Sequence, residues 1–227
     1  TKITINQGES LSMISNKLLK NGVITNERFF GFATKIMGLE KSIPVGSYHL
    51  ENVKINKDII NRLVYGSPEI KKITLLEGWN IKQVCSHLSK EMGFDYNNLI
   101  EIINDKRFIK NLEIESDNLE GYLFPETYYF FDGEKEQSVI RRLAKEYKRF
   151  WSKKNIIKAD SLNLTQHQIV TLASIIEGEA IYDSERPIIS AVYHNRLKKG
   201  MRLQADPTVQ YIIQDGPRRL LNKDLKI

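Results

Sequence analysis

Two stretches of the chain follow one plan, and that plan limits the folds open to it. The first is ITINQGESLSMISNKLLKNG, Ile3 to Gly22, and the second is ITLLEGWNIKQVCSHLSKEMG, Ile73 to Gly93. Aligned on their glycines, Gly8 matches Gly78 and Ser10 matches Asn80. Leu11, Ile14 and Leu18 then match Ile81, Val84 and Leu88. Each stretch reads as a short strand, a glycine turn, an N-cap side chain and a helix with one apolar stripe. A strand and a one-sided helix must cover each other, so the expected class is α+β.

Further helices are expected at Asn26 to Met37 behind N-cap Thr25, at Asn56 to Tyr65, at Tyr96 to Asn104 and at Glu134 to Trp151, with a strand at GSYHL. LEGYLFPETYYFF, Leu119 to Phe131, is rich in aromatics around Pro125 and reads as extended and partly buried, with Tyr122, Phe124, Tyr129 and Phe130 as core. From Thr165 the chain turns helical. TQHQ forms a capping box, a second helix runs from near Ser184 to a stop at Gly200, and Asp206 is placed to cap a last helix starting near Thr208. The closing DGPRRLLNKDLKI shows no period. The division expected is residues 1–95, carrying both repeats, and residues 96–227, mainly helical.

The net charge of +6 suits an anionic partner, but the basic clusters are short and interrupted by acids, which favours lysines on solvated faces. A basic helical nucleic-acid binder, with SERPIISAVYHNRLKKG as its reading helix, is the weakest alternative. No apolar run reaches the ~20 residues of a membrane span. The chain begins at Thr1 rather than Met, which is compatible with a removed signal or anchor. Cys85 falls in step with Ile81, Val84 and Leu88 and reads as a small buried hydrophobe. The four histidines are scattered, no HExxH pattern is present, and neither a catalytic metal nor another cofactor is expected. GxSxG, GxxxxGK[ST] and GxGxxG are also absent.

What remains is carboxylate chemistry or plain binding. LASIIEGEA, Leu172 to Ala180, ends an apolar run with two acids around a glycine. With Ile169, Ala173, Ile176 and Ala180 taken as one face, Glu177 and Glu179 fall on opposite flanks, each about 80° from its centre. Either could border a cleft. A carboxyl at an apolar edge and a helix C-terminus has its charged form disfavoured, which suits a general acid. A solvated helix end is the alternative, and periodicity does not choose between the two acids.

The stretch from Leu172 to Tyr211, LASIIEGEA…SERPIISAVYHNRLKKGMRLQADPTVQY, strongly resembles the signature of the endolytic murein transglycosylases, the YceG-like family. LEGYLFPETY resembles a second block of that family, and the strand-turn-helix repeats resemble its LysM-like portion. The resemblance implies a LysM-like region followed by a lysozyme-like helical catalytic region. It also implies a bacterial enzyme held in the cytoplasmic membrane by one N-terminal helix, absent here, with its catalytic part outside the cytoplasm. Its substrate is nascent peptidoglycan, cut between N-acetylmuramic acid and N-acetylglucosamine without water. One Glu serves as acid and then base, leaving a 1,6-anhydro-muramic end.

In related lysozyme-like transglycosylases the catalytic Glu precedes a small residue, which favours Glu179, before Ala180, over Glu177. Glu177 is then a second acid that lines the cleft or pairs with a cation. The resemblance places Glu120, Glu126, Tyr128, Asn195, Arg196, Gln204, Asp206, Thr208 and Tyr211 at the substrate. Trp79 is a further stacking candidate. Cell-wall synthesis proteins are the expected partners, and a non-catalytic glycan-binding module is the alternative. Two departures stand out. The family pattern carries a lysine where this chain has Gly178, which is expected to loosen the last turn. Its catalytic domain also continues past the DPT block, so part of the cleft is expected to be missing and activity impaired.

Overall fold

A computed structural model of the protein describes residues 1–51, 53, 55–213, 220, 221 and 224. The repeat is present, and it is larger than its sequence signature. In the first unit, β1 (Lys2–Ile5), α1 (Leu11–Lys20), α2 (Glu27–Ile36) and β2 (Gly46–His49) follow in order, with β1 and β2 antiparallel, Lys2 opposite His49. In the second, after α3 (Asn56–Tyr65), come β3 (Ile70–Thr74), α4 (Ile81–Met92), α5 (Tyr96–Asn104), α6 (Lys106–Asn111) and β4 (Thr127–Phe131). There β3 and β4 are antiparallel, Ile70 opposite Phe131. Both units are therefore strand, helices, strand, closed by a two-stranded sheet.

The local chemistry of the two turns matches. Gly8 and Gly78 both adopt positive φ, +89° and +76°, which a side chain would resist. Ser10 accepts from the Met13 amide, and Asn80 forms a full capping box with Gln83. The core of the first unit gathers Ile3, Ile5, Ile14, Leu18, Phe30 and Leu63. That of the second joins Ile73, Val84, Leu88, Leu99, Phe130 and Leu143, the last from α7 (Glu136–Phe150). A boundary at residue 95 thus runs through a shared core: α4 belongs with α5 and α7 rather than with the first repeat.

Alternation along β4 decides which aromatics are core. Tyr128 and Phe130 point inward and are buried, whereas Tyr129, expected inside, is exposed. The Cys85 thiol is fully buried, and burial, with the nearby Glu120 charge, pushes it up to about 11. It is a packing residue, as its helical step indicated.

Asp132 fastens the two units together. The Ser47 hydroxyl donates to it at 2.9 Å, and Lys71 and Lys2 lie 3.2 and 3.5 Å away. Burial would raise this carboxyl, but Ser47, Lys71 and Lys2 outweigh it and hold it below the usual carboxylate range. A depressed carboxylate contributes stability that is complete above its unfolded value, ~3.9, and fades as pH falls through the lower folded value. Asp132→Asn is expected to cost about 1–2 kcal/mol at neutral pH, discounted for the solvent around both lysines. Urea titration at pH 7 and again near pH 3 checks this; the gap between variant and parent should shrink at the lower pH.

Candidate active site

The third part of the chain is helical: α8 (Lys153–Ser161), α9 (Gln166–Glu179), α10 (Arg186–Lys198) and α11 (Asp206–Ile212). Thr165 caps α9, with the Gln168 side chain returning to the Thr165 amide, as TQHQ indicated. A 3-10 turn, Asp183–Glu185, leads into α10, and Glu185 accepts from the amides of Ile181 and Tyr182. The small core here is Leu172, Tyr193 and Ala205, with Ile175, Ile176 and Ile189 packed on it.

The stripe of α9 that meets this core is not the one expected. Leu172 is its buried residue and Ala173 is exposed, because α10 and α11 cover the side carrying Leu172, Ile175 and Ile176. Glu179 follows Leu172 by seven residues, so it extends this stripe at the helix end. Glu177 lies off the stripe. The two acids are therefore not equivalent flanks of one face.

Their partners differ as well. The Arg186 guanidinium donates to Glu177 at 2.8 Å and also pairs with Asp183 at 3.1 Å. Glu179 faces Tyr193, which is only 4% exposed. Burial first, then the charge of Glu179 and a hydrogen bond to it, raise the Tyr193 phenol above its ordinary value, with Arg196 opposing and Asp206 adding to the rise. The Tyr193 hydroxyl thus lies within electrostatic reach of the acid of α9 and of charged residues of α10 and α11. The Glu179 side is open to solvent, so the apolar enclosure expected around the acid is not found among the described residues.

α11 reaches this end of α9 through a glycine. A Cβ on Gly178 would sit 2.9 Å from Pro207 Cβ and 3.1 Å from Pro207 Cγ. Gly178 therefore admits the proline turn, which is a different role from loosening the helix end. Asp206 is the first residue of α11 rather than its cap: Ala205 holds the cap position and makes no side-chain bond. The Thr208 hydroxyl donates back to the Ala205 carbonyl at 2.7 Å. Gln204, just before, is exposed and held at φ +52°, a conformation uncommon for a residue with a side chain. Arg196 donates to the Leu203 carbonyl and so braces this loop from α10. Asn195 lies exposed on α10.

The LEGYLFPETY block meets the same helices. Gly121 rests against Val170 of α9, and the Tyr122 hydroxyl lies 3.3 Å from His167 Nδ1. The Glu120 carboxylate accepts from the Ile81 amide at the start of α4 and, at 3.2 Å, from the Tyr211 hydroxyl of α11. Burial and Glu120 raise the Tyr211 phenol. Glu126 is turned to its own neighbour, accepting from the Thr127 amide. Tyr128 is a core residue: its ring is buried and its hydroxyl donates to the Phe124 carbonyl at 2.8 Å, so it offers no face to a sugar. Trp79 is half-buried, edge-on to His87 with centroids 5.0 Å apart. Glu177, Glu179, Asn195, Arg196, Gln204, Asp206 and Thr208 are thus carried by α9, α10, α11 and the loop before α11, Glu120 and Tyr211 meet farther along α9 where Gly121 packs on Val170, and Glu126 and Tyr128 do not join this group. Arg186 and Tyr193 were not singled out from sequence, although both lie in the signature stretch.

Among the described residues no group of His, Cys, Asp and Glu could hold a metal ion, and no helix is long and apolar enough to cross a membrane. The fold and site define an α+β protein with a carboxylate at a helix end beside an open surface of polar side chains. The chain belongs to the YceG-like family, whose model matches residues 3–227. It is 33% identical over 242 residues to a Bacillus subtilis protein named endolytic murein transglycosylase, covering 99% of this chain and 66% of that one. A Streptococcus pneumoniae protein of the same name is 26% identical over 236 residues, covering 92% of this chain and 42% of its own length. The chain thus spans just under two-thirds of the first relative and less than half of the second. The crystal structure of a putative yceG-like protein from Listeria monocytogenes superposes with a TM-score of 0.64 at 27% identity, covering all of this chain and 80% of that one.

Proposed function

We propose that this chain is part of an endolytic lytic transglycosylase that cuts peptidoglycan glycan strands between N-acetylmuramic acid and N-acetylglucosamine. Glu179 is the acid and then the base. It gives its proton to the departing glycosidic oxygen, and the bond from that oxygen to C1 breaks. It then takes the proton of the muramic acid 6-hydroxyl as that oxygen closes onto C1. The product end is a 1,6-anhydro ring, the proton count balances, and no water is consumed. One carboxylate suffices, unlike the pair used by hydrolytic glycosidases.

The observation that carries the reading is the unequal setting of the two acids. A carboxylate clamped in a charge-assisted hydrogen bond by a guanidinium is not free to reach a glycosidic oxygen. Glu177 is so clamped, by Arg186, whereas Glu179 meets a neutral phenol on an open side. A bound glycan would expel water from that side and strengthen each electrostatic contact. Gln204, Asp206, Thr208 and Asn195 offer groups for sugar hydroxyls and N-acetyl amides. Arg196 braces the loop, and Glu120 with Tyr211 holds α11. The two strand-helix-strand units are read as LysM-like and as contacts for the strand beyond the cleavage point. The enzyme works outside the cytoplasm, held to the bacterial membrane by an N-terminal anchor, and acts beside cell-wall synthesis proteins.

Mass spectrometry of purified glycan strands after incubation with the protein tests this reading. Fragments ending in 1,6-anhydro-muramic acid are expected. Reducing ends instead would make the protein a hydrolase, and intact strands that stay bound would make it a binding module.

A further inference from the structure

Helix α2 carries two apolar faces. Phe30 and Thr34 turn inward and are fully buried. On the other side Phe29, Phe32 and Ile36 are 62%, 63% and 70% exposed. These three lie at i, i+3 and i+7, within about 60° of one another around the helix, so they form one outward stripe. Among the described residues the outer stripe is left largely uncovered.

The charge around the stripe is one-sided. Arg28 and Lys35 fall together along one edge of it, both exposed, and neither has an ion pair among the described residues. Glu27, the acid of this helix, lies on the far side and accepts from Asn16 of α1. Residues 1–66 hold nine Lys and Arg against five Asp and Glu, most of the excess positive charge of the chain.

Stripe size and charge together select the occupant. Three side chains about two-thirds exposed offer on the order of 400 Å² of apolar surface, about half of what each partner gives to a stable protein interface. Antiparallel pairing with a second copy across this stripe would also set the Arg28 and Lys35 edges of the two copies side by side. An anionic bilayer surface meets both features: the aromatic and aliphatic groups enter the headgroup boundary while the cations remain among the phosphates.

We propose that α2 is a membrane-surface contact, with Phe29, Phe32 and Ile36 inserted and Arg28 and Lys35 on acidic headgroups. This does not depend on the transglycosylase reading. Sedimentation with phosphatidylcholine vesicles, with and without phosphatidylglycerol, tests it on the 227-residue chain. Binding is expected to the phosphatidylglycerol vesicles, falling with added salt. The triple change Phe29→Ser, Phe32→Ser, Ile36→Ser should weaken it about tenfold or more while circular dichroism and the melting midpoint hold, because these side chains are already exposed. Arg28→Gln with Lys35→Gln should remove most of the preference for the anionic lipid. Equal sedimentation of the triple variant, or none by the parent protein, overturns the proposal. A concentration-dependent dimer lost in the triple variant, without vesicle binding, overturns it in favour of self-association.

Discussion

Glu179→Gln should lower strand cleavage by about 10²–10⁴-fold, the range for losing a general acid–base group, with the melting midpoint unchanged. The amide keeps the size of the side chain and can still meet the Tyr193 hydroxyl, but it cannot supply and recover a proton. Glu177→Gln should behave differently. Among the described residues it leaves the Arg186 guanidinium of α10 with Asp183 as its one remaining ion-pair partner. That change should lower stability by about 1 kcal/mol and cleavage by less than about tenfold, through displacement of the helix end rather than loss of a proton. Rate and melting midpoint, measured on both variants, separate the roles. Abolished cleavage in Glu177→Gln at an unchanged midpoint, with an active Glu179→Gln, would exchange them.

That difference between the acids was only partly legible in the sequence. A helix ending in two acids was visible, and so were its capping box and the signature stretch that follows. Which acid faces which partner depends on where α10 and α11 sit, and helix period carries no information on that. Helix period misplaces the centre of the α9 stripe because it treats Ala173 and Ala180 as apolar face, yet alanine fits buried and exposed sites alike, and Ala180 lies just past the helix. The repeat shows the same division. Its turn glycines and N-caps are local chemistry and appear in both structure and sequence. The partner of each repeat strand lies far downstream, so the second unit's claim on β4 and α7 could not be read from Ile73 to Gly93. Tyr128 and Tyr129 exchanged places because a run of aromatics hides its own alternation; the inward phase is set by pairing with β3. Asp206 sits before a proline and resembles a cap, but the cap position falls one residue earlier, on Ala205, so the Asp206 carboxylate remains available at the turn. The closing DGPRRLLNKDLKI falls largely outside the described residues.

Gly178→Ala is the second change with a large expected effect, and its sign separates two physical accounts. Helix propensity alone makes alanine better by about 1 kcal/mol inside a helix. The structure opposes this, because the added Cβ would lie 2.9 Å from Pro207 Cβ, a rigid ring that cannot turn aside. Overpacking of this kind costs about 1–3 kcal/mol, so the net result should be a loss of up to about 2 kcal/mol. Activity should fall further than stability, since Pro207 carries Asp206, Thr208 and Tyr211 with it when α11 moves from the end of α9. Combining Gly178→Ala with Pro207→Gly removes the Cβ that is struck. The double variant should then lose less than the sum of the single losses, a positive coupling readable by urea titration. A more stable Gly178→Ala protein with full activity would mean that α11 yields freely, and that the contact between Gly178 and Pro207 does not set the geometry around Glu179.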